Sequence, residues 1–327
     1  EGWRGGEIFA VTSLADTGPG TLRQCAANAS RPRVCVFRVS GTIEVENQIM
    51  AGSNLYIAGQ TAPGEGVQLR LKESNQTPLV IKNVDNVLIR FLKLRPGTSP
   101  GKSANIDAVT IEGSRHVYLD HLSMSFASDE TLNVHVNANP THDITVANSI
   151  LSFSLDRSNH PKGRHSKGAL ICSNEGPLDA GIPCGRITLY RNLFAHHRDR
   201  NPDLKATRIG PVDVLNNVFY DAISQYGEFY DLLGDLSVNY VGNLALAGPS
   251  TRRRPAPRAI EAFDWDETNG LSIFESDNLN LRRPGCSGTE RLPVVDEAAE
   301  QFLVLEPVTL PSAPTQPVDR VLDDVLT

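Results

Sequence analysis

The sequence predicts an all-β protein, a right-handed parallel β-helix (solenoid) with short capping helices at the ends. Apolar segments that begin at residues 87, 117, 144, 187, 212 and 238 form a degenerate repeat with one long insertion. A supersecondary unit this short cannot bury a face alone, so successive units must stack as coils. The alternative is a β-sandwich, which would need hairpin turns such as Asn-Gly, and these are rare apart from Asn269-Gly270.

Each repeat reads as a strand, a polar turn and a second strand. An Asn or Asp stands at a similar place in five of them, at Asp120, Asn148, Asn192, Asn217 and Asn243. Asparagine tolerates left-handed backbone geometry, and its side chain can form hydrogen bonds to the next coil. The pattern therefore predicts a stack of polar turns along one edge of the helix.

The segments before and after these repeats predict the ends of the domain. Thr21 and Gln24 have the spacing of a capping box, and a short amphipathic helix is expected through Ala29. Brief apolar runs predict strands at 34–39, 54–58, 67–71 and 79–81. Residues Val318–Leu326 have helical spacing, and we expect them to cap the open end.

We expect one domain over residues 1–327. Its parts are an N-terminal cap region at 1–33, stacked coils at 34–248 with a long loop at 156–186, and C-terminal loops and cap at 249–327. All-β solenoids commonly reach this length as a single unit. Function in a solenoid tends to concentrate in such an inserted loop.

Composition and charge narrow the possible partners. The formal net charge is −7, which argues against binding to nucleic acid, and no apolar run approaches the roughly 20 residues of a membrane span. The five cysteines fall as two close pairs, Cys25 with Cys35 and Cys172 with Cys184, and Cys286 alone and free. Close pairs indicate disulfides and an oxidising compartment. We therefore expect a secreted monomer, extracellular, or periplasmic if bacterial.

A cation pair stands at the start of one repeat, in the segment Arg-Asn-Pro-Asp-Leu-Lys at 200–205. Pro202 restricts the backbone and gives Arg200 and Lys205 a defined spatial relation. Such an array is suited to gripping and deprotonating a polyanionic sugar acid. The alternative is a basic surface turn, since charged side chains are usually solvated.

Acidic residues precede the strands of two successive coils. Asp107 and Asp129 take equivalent places, and stacking brings such positions to about 5 Å from each other. Converging oxygen atoms suit a hard cation such as calcium, although solvated turn acids are the alternative. The basic loop 159–168 contains His160 and His165, but a third zinc ligand at suitable spacing is missing from the sequence.

The most distinctive stretches are Gly-Gly-Glu-Ile-Phe-Ala-Val-Thr-Ser-Leu at 5–14, Gly-Pro-Gly-Thr-Leu-Arg at 18–23, Ile-Ala-Gly-Gln-Thr-Ala-Pro-Gly at 57–64, and Asp-Ala-Val-Thr-Ile at 107–111 leading to Leu-Asp-His at 119–121. With the clusters above they resemble the pectate lyases, polysaccharide lyase family 1, over residues 5 to about 248. The resemblance implies the same β-helix, a Ca²⁺ cofactor, and acidic plant cell-wall polysaccharide (polygalacturonate) as substrate.

The resemblance also implies roles for single residues. Asp107, Asp129 and Asn133 match calcium ligands, and Arg200 matches the catalytic base. Lys167 and Lys205 match cations that hold substrate carboxylates, and we add His165 to this substrate-binding set. Two residues depart from the family pattern, which often has an acid at the position of Asn133 and an arginine at that of Lys205. These changes should weaken the metal site and remove bidentate carboxylate recognition, respectively.

The activity implied is pectate lyase, a polysaccharide lyase that cleaves de-esterified polygalacturonate by calcium-dependent β-elimination and leaves 4,5-unsaturated oligogalacturonides. We expect burial beside calcium and Lys167 to lower the pKa of Arg200 and give an alkaline optimum. The alternatives are a non-catalytic carbohydrate-binding β-helix and a pectin-degrading glycoside hydrolase. A hydrolase would need two positioned carboxylates, and Asp199 and Asp203 face different ways if the segment is extended.

Overall fold

The computed structural model describes residues 3–27, 31–73, 76–98, 101–173, 181–205, 208–231, 234–263, 269–283 and 288–327. Within these ranges the chain forms two α-helices, α1 (Leu22–Ala26) and α2 (Val318–Leu326), and 29 strands. The strands are β1 (Glu7–Val11), β2 (Arg33–Phe37), β3 (Gly41–Val45), β4 (Ile49–Met50), β5 (Leu55–Ala58), β6 (Val67–Leu71), β7 (Leu79–Lys82), β8 (Asp85–Arg90), β9 (Leu92–Leu94), β10 (Val109–Glu112), β11 (Arg115–Asp120), β12 (Ser123–Ser125), β13 (Glu130–His135), β14 (Thr141–Ala147), β15 (Ile150–Ser152), β16 (Lys167–Ser173), β17 (Cys184–Tyr190), β18 (Leu193–Ala195), β19 (Asp203–Leu204), β20 (Val212–Leu215), β21 (Val218–Tyr220), β22 (Gly227–Phe229), β23 (Leu236–Val241), β24 (Leu244–Ala247), β25 (Ile260–Ala262), β26 (Leu271–Ser276), β27 (Leu279–Arg282), β28 (Glu290–Leu292) and β29 (Leu303–Val304). Short 3₁₀ turns lie at Gly59–Thr61 and Glu300–Phe302.

The strands stack into three sheets. Sheet A has 11 strands in the order β1-β2-β5-β8-β11-β14-β17-β20-β23-β26-β29, sheet B has 10 in the order β28-β27-β24-β21-β18-β15-β12-β9-β6-β3, and sheet C has 8 in the order β25-β22-β19-β16-β13-β10-β7-β4. Each middle coil passes from sheet A to sheet B to sheet C, and the neighbours pair in parallel; β27 with β28 is antiparallel. The predicted parallel β-helix is confirmed.

The core lies inside the coils, where equivalent side chains of successive strands stack in rows. One row of sheet A aligns Ile57, Ile89, Leu119, Val146 and Leu189, and all five are buried. Each such side chain contributes about 1.5–3 kcal/mol of burial free energy. The apolar repeat seen in the sequence therefore corresponds to the inward-facing positions of successive strands in sheet A.

The asparagine stack forms along the turns from sheet A to sheet B. The backbone N–H of Asn192 donates to Asn217 Oδ1 at 3.0 Å, that of Asn217 to Asn243 Oδ1 at 2.9 Å, and that of Asn243 to Asn278 Oδ1 at 2.7 Å. Asn148 lies one register position earlier, because Ser149 pairs with the ladder instead. Its Nδ2 donates to Asp120 Oδ1 at 2.9 Å, so the two predicted members outside the ladder bond to each other.

The two helices have different positions. α1 begins after Thr21, whose Oγ1 accepts from the Gln24 N–H at 3.2 Å, and it buries Leu22 and Cys25 at the N-terminal end of the core. α2 instead packs on the outer face of sheet B, where Val318 contacts Leu244 and Leu246. The expectation that α2 caps the open end is therefore wrong, because the apolar side of α2 packs on outward-facing apolar side chains of sheet B.

The boundaries of the coils also differ from the prediction. Stacking begins with β1 and continues through β29, beyond the expected range of 34–248. The expected loop 156–186 contains β16 and the start of β17, because the apolar run Ala-Leu-Ile-Cys at 169–172 completes sheet C between β13 and β19.

Two disulfides hold short segments together. Cys25 is bonded to Cys35 with Cα atoms 5.9 Å apart, and Cys172 to Cys184 with Cα atoms 5.6 Å apart. Both predicted pairs are confirmed, and Cys286 lies outside the described residues. None of the helices in the described ranges is long and apolar enough to cross a membrane.

Candidate active site

The predicted site residues come from successive coils at one edge of the molecule. Here sheet B leads into sheet C through connections that we call the B–C turns. Asp107 precedes β10, Asp129 precedes β13, Lys167 begins β16, and Arg200 and Lys205 flank β19. These four strands are neighbours in sheet C, so the side chains are placed about 4.8 Å apart per coil.

Three carboxylates meet at this edge. Oxygen atoms of Asp107, Asp129 and Glu130 lie within 4.8 Å of one another. Asp107 and Glu130 are buried, at 4% and 2% exposure. Thr110 Oγ1 donates to Asp107 Oδ2 at 2.7 Å, and the Glu130 N–H donates to Asp107 Oδ1 at 3.1 Å. Backbone and side chain thus fix the orientation of the central carboxylate.

The three carboxyl groups disfavour one another's ionisation. Burial and then the charges of Glu130 and Asp129 raise the pKa of Asp107 well above its ordinary value. Burial and the neighbouring Asp129 raise the pKa of Glu130 to about 7, and burial also raises the pKa of Asp129. A group of like charges in a low-dielectric site is relieved by a cation, and its oxygen ligands match the preference of calcium.

Arg200 lies directly against this carboxylate cluster. Its Nη1 donates to Glu130 Oε1, and its Nε lies 3.5 Å from Asp203 Oδ2. The backbone of Arg200 has a left-handed φ of 60°, and its N–H donates to Glu228 Oε1 at 2.8 Å. The loop packs so closely on Gly168 that a Cβ there would collide with the Arg200 carbonyl oxygen. The guanidinium is therefore held in place from several sides.

The carboxylates around Arg200 oppose the effect of burial on its pKa. Burial lowers it, but the charges of Glu130 and Asp203, with Asp199 and Glu228, outweigh burial and hold the pKa above its ordinary value. The lowering expected beside bound calcium and Lys167 stays a prediction, because calcium would compensate the charge of these carboxylates. The carboxylates stabilise the protonated guanidinium in the protein as it stands.

The two lysines flank Arg200 through separate acids. Lys167 Nζ lies 2.5 Å from Asp199 Oδ1, and Lys205 Nζ lies 3.1 Å from Asp203 Oδ1. Lys205 Nζ also lies 3.4 Å from the centroid of the Tyr230 ring, a cation–π contact. Asp199 and Asp203 therefore have different lysine partners, and both lie near Arg200. Lys167, Arg200 and Lys205 thus lie together at this edge of the β-helix.

The arrangement matches a known family. The family model described as pectate lyase matches residues 45–233, a range that includes all of these site residues. A protein of Aspergillus terreus named probable pectate lyase C is 34% identical over 88% of this chain. The chain belongs to the pectate lyase family.

Another relative agrees with this assignment, and solved structures share the fold. Probable pectate lyase C of Aspergillus fumigatus is 33% identical over 76% of the chain and 52% of its own length. The chain spans 61% of the length of the Aspergillus terreus protein. Among solved structures, the major allergen of cedar pollen has a TM-score of 0.71 at 15% identity, covering 99% of this chain and 89% of its own. A thermostable pectate lyase has a TM-score of 0.64 at 17% identity, covering 98% of this chain and 90% of its own. At such identities these structures show the fold.

The contacts of Asn133 and Glu130 in this pectate lyase fold differ from those that the sequence implied for the calcium ligands. Asn133 reaches the cluster through Nδ2, which donates to Asp107 Oδ2 at 3.3 Å, while its Oδ1 accepts from Ser173 Oγ at 3.3 Å. Glu130 joins Asp107 and Asp129 instead. The sequence analysis did not consider Glu130, which directly follows Asp129 and begins β13.

His165 lies against Asp129 and close to the cations Lys167 and Arg200. Its Nε2 is 2.7 Å from Asp129 Oδ1, and that of His160 is 3.8 Å from the same atom. The imidazole rings stack with centroids 3.6 Å apart. Burial, with the charge of Lys167 for His165 and of His165 for His160, lowers the pKa of each to about 4. Both are neutral at pH 7.

These histidines and Asp129 form a second candidate grouping for a metal, which the sequence could not show. The spacing argument against zinc failed to consider Asp129, which is distant in sequence. However, His160 Nδ1 accepts from the Lys162 N–H at 3.2 Å, so the neutral ring carries its proton on Nε2. That nitrogen is then a donor towards Asp129. The stacked histidines fix this carboxylate.

Proposed function

We propose that the protein is a pectate lyase that cleaves de-esterified polygalacturonate by calcium-dependent β-elimination and releases 4,5-unsaturated oligogalacturonides. The observation that carries the proposal is the meeting of Arg200, Lys167 and Lys205 with three carboxylates, two of them buried, on one edge of the β-helix. Family membership supports the reaction class. A polyanionic substrate needs such cations, and the carboxylates need a counterion.

The chemistry of the carboxylates fits a calcium ion. Asp107, Asp129 and Glu130 would hold it, with Asn133 beside them, since these are oxygen donors whose charges oppose one another. Arg200 compensates only part of this charge, through Glu130. Bound calcium would neutralise the carboxylate of a galacturonate unit and so stabilise the negative charge that develops there.

Lys167 and Lys205 would bind the substrate carboxylates. Each ammonium already pairs with an aspartate, at 2.5 and 3.1 Å, and both side chains are largely buried. A galacturonate carboxylate can share such a partly desolvated ammonium without moving it. Tyr230, which faces Lys205 Nζ, would hold this charge in place. Preorganised positive charge of this kind stabilises an enolate-like transition state.

Arg200 would remove the proton from C5, which lies α to the C6 carboxylate. The electron pair of the C5–H bond then forms the C4–C5 double bond, the C4–O bond breaks, and the leaving oxygen takes up a proton. The neutral guanidine must form for this step, and the surrounding carboxylates oppose it. Compensation of their charge in the substrate complex would favour the base form, so we retain the prediction of an alkaline optimum.

The test is ultraviolet absorbance of the digest on polygalacturonate and on methyl-esterified pectin, with and without chelator. A lyase makes a conjugated product that absorbs, and calcium should restore activity after chelation. New reducing ends without absorbance would identify a hydrolase, and neither signal would identify a binding protein. Full activity in chelator would contradict calcium dependence.

The setting of the activity is part of the proposal. Two disulfides support export to an oxidising compartment, so we infer a secreted protein that meets cell-wall polysaccharide outside the cell. We further propose that it acts as a monomer and binds neither nucleic acid nor membrane. Size-exclusion chromatography with light scattering tests the first of these statements.

A further inference from the structure

A concave surface apart from the candidate active site lies at the C-terminal coils. It is a cavity of about 620 Å³ beside sheet B, and we call it the arginine pocket. Its polar walls come from Arg253, Arg282 and Arg283 with Glu290, and Tyr220 forms part of its floor. None of these residues belongs to the candidate active site.

The arginine pocket is positively charged in a protein of net charge −7. It combines three guanidinium groups with one carboxylate, and Arg282 Nη1 lies 3.7 Å from Glu290 Oε2. Arg253 and Arg283 are exposed, and within the described part of the chain neither pairs with an acid. Guanidinium groups bind carboxylates in a bidentate manner. The pocket therefore offers two free recognition groups for an anionic ligand.

The wall that carries Arg253 is fixed by hydrogen bonds. Asp221 Oδ1 accepts from the Ser250 N–H at 2.7 Å, and the Gly248 N–H donates to Thr251 Oγ1 at 3.0 Å. A Cβ at Gly248 would collide with Asp221, so the turn fits closely on the coil before it. On the other side, Arg282 Nη2 donates to the Arg252 carbonyl at 3.2 Å. The pocket is formed before any ligand binds.

The arginine pocket lies on the same edge as the candidate active site. Residues 248–259 form the B–C turn before β25, and 196–202 form the one before β19, two strands away in sheet C. A row of three aromatic side chains, Phe153, His196 and Tyr220, lies between the candidate active site and the arginine pocket along this edge. Phe153, 51% exposed, stacks on His196 at 4.3 Å, and His196 meets the edge of Tyr220 at 5.1 Å. Aromatic faces pack well on the C–H faces of sugars.

We propose that the arginine pocket is an accessory binding site for a carboxylated polysaccharide, with Arg253 and Arg283 pairing with uronate groups and the ring row contacting sugar faces. Its ligand class rests on the proposed function, whereas its position does not. The site holds a long uronate chain beside the cleavage site and contributes nothing to short substrates that cannot reach both. It should raise affinity for polymer without changing turnover of a trimer.

The test compares the double variant Arg253→Ala/Arg283→Ala with the control Arg38→Ala/Arg70→Ala, which removes the same charge from exposed N-terminal positions. Affinity gel electrophoresis in chelator measures binding to polygalacturonate, methyl-esterified pectin, polyglutamate and dextran without turnover. We expect the double variant to bind polygalacturonate about fivefold more weakly and the control to change less than about twofold. Cleavage of trigalacturonate should be unchanged in both.

Equal binding by the double variant and the control would overturn the proposal. So would an equal loss for polyglutamate and polygalacturonate, because the pocket would then recognise charge and not uronate sugar. If the protein releases no unsaturated product while the difference in polygalacturonate binding persists, the proposed reaction fails and the accessory site stands. Circular dichroism on both variants confirms folding, since all four arginines are exposed.

Discussion

Polar side chains stack both in the turns from sheet A to sheet B, which we call the A–B turns, and in the B–C turns. The A–B stack is satisfied by its own hydrogen bonds, whereas the B–C stack concentrates negative charge. In the A–B turns, the amides of Asn192, Asn217, Asn243 and Asn278 find donors and acceptors in neighbouring coils. In the B–C turns, Asp107, Asp129 and Glu130 oppose one another. A neutral amide both donates and accepts, so it can repeat down a solenoid, whereas a carboxylate accepts only. Stacked amides complete the fold, whereas stacked carboxylates repel one another until a proton or a cation reduces their charge.

This comparison predicts that changes in the B–C turns alter activity and changes in the A–B turns alter stability. The predictions below follow from it, in order of decreasing size. A loss of stability from a B–C change, or a loss of turnover from an A–B change, would contradict this assignment.

The largest effect is expected at Arg200. Arg200→Lys keeps a positive charge near Glu130 but moves it away from the position of the base, so kcat should fall by about 100- to 1,000-fold with substrate binding within a few-fold. Steady-state kinetics on polygalacturonate measure both. Thermal unfolding should change little. If more than a tenth of the rate remains, Arg200 is not the base.

The next effect is a loss of stability at Asn217, which is fully buried. Its Nδ2 donates to the Leu189 carbonyl at 2.9 Å, and its Oδ1 accepts from the Asn192 N–H. Asn217→Ala leaves these backbone groups unpaired and should lower the free energy of unfolding by about 2–4 kcal/mol. Denaturant titration measures it.

The matched control is Asn148→Ala, since Asn148 lies in an A–B turn but is exposed and bonds Asp120 alone through its side chain in the described structure. It should cost less than about 1 kcal/mol. Similar losses at the two positions would show that the ladder is not what distinguishes them. A fall in kcat for folded Asn217→Ala would break the division between the two sets of turns.

A moderate effect on turnover is expected at Glu228. Its Oε1 accepts from the Arg200 N–H at 2.8 Å, so it positions Arg200 through the backbone. Glu228→Leu should lower kcat about tenfold with KM little changed, whereas Glu228→Gln keeps the acceptor and should restore most of it. Failure of Gln to rescue would argue against a positioning role through this hydrogen bond.

The features that the sequence could predict are those set by local patterns within each coil. Strands, both disulfide pairs and the ladder members Asn192, Asn217 and Asn243 follow from local patterns that repeat with the coils. Motif matches located Asp107, Asp129 and Arg200. What could not be predicted depends on contacts across coils, such as Arg200 with Glu130, which are 70 residues apart. Those contacts raise the pKa of Arg200, a contribution that the sequence did not reveal.

The smallest effect is expected at Asn133, and it tests the metal site directly. Asn133→Asp replaces an N–H donor to Asp107 Oδ2 with a fourth carboxylate. Because charge count is a main control on calcium affinity, the dissociation constant should fall by up to about tenfold. In chelator the same variant should unfold at lower temperature, since a hydrogen bond becomes a repulsion.

Calorimetric titration with calcium and thermal unfolding in chelator measure the two effects separately. Asn139→Asp is the control, because it adds the same charge at an exposed position in the turn after β13. Calcium affinity that matches this control would place Asn133 outside the coordination shell and leave Asp107, Asp129 and Glu130 as the ligands. In that case the amide of Asn133, like those of the ladder, would serve to orient its neighbours: its Nδ2 holds Asp107 and its Oδ1 accepts from Ser173. A stability loss in chelator without any gain in calcium affinity is the result that this second role predicts.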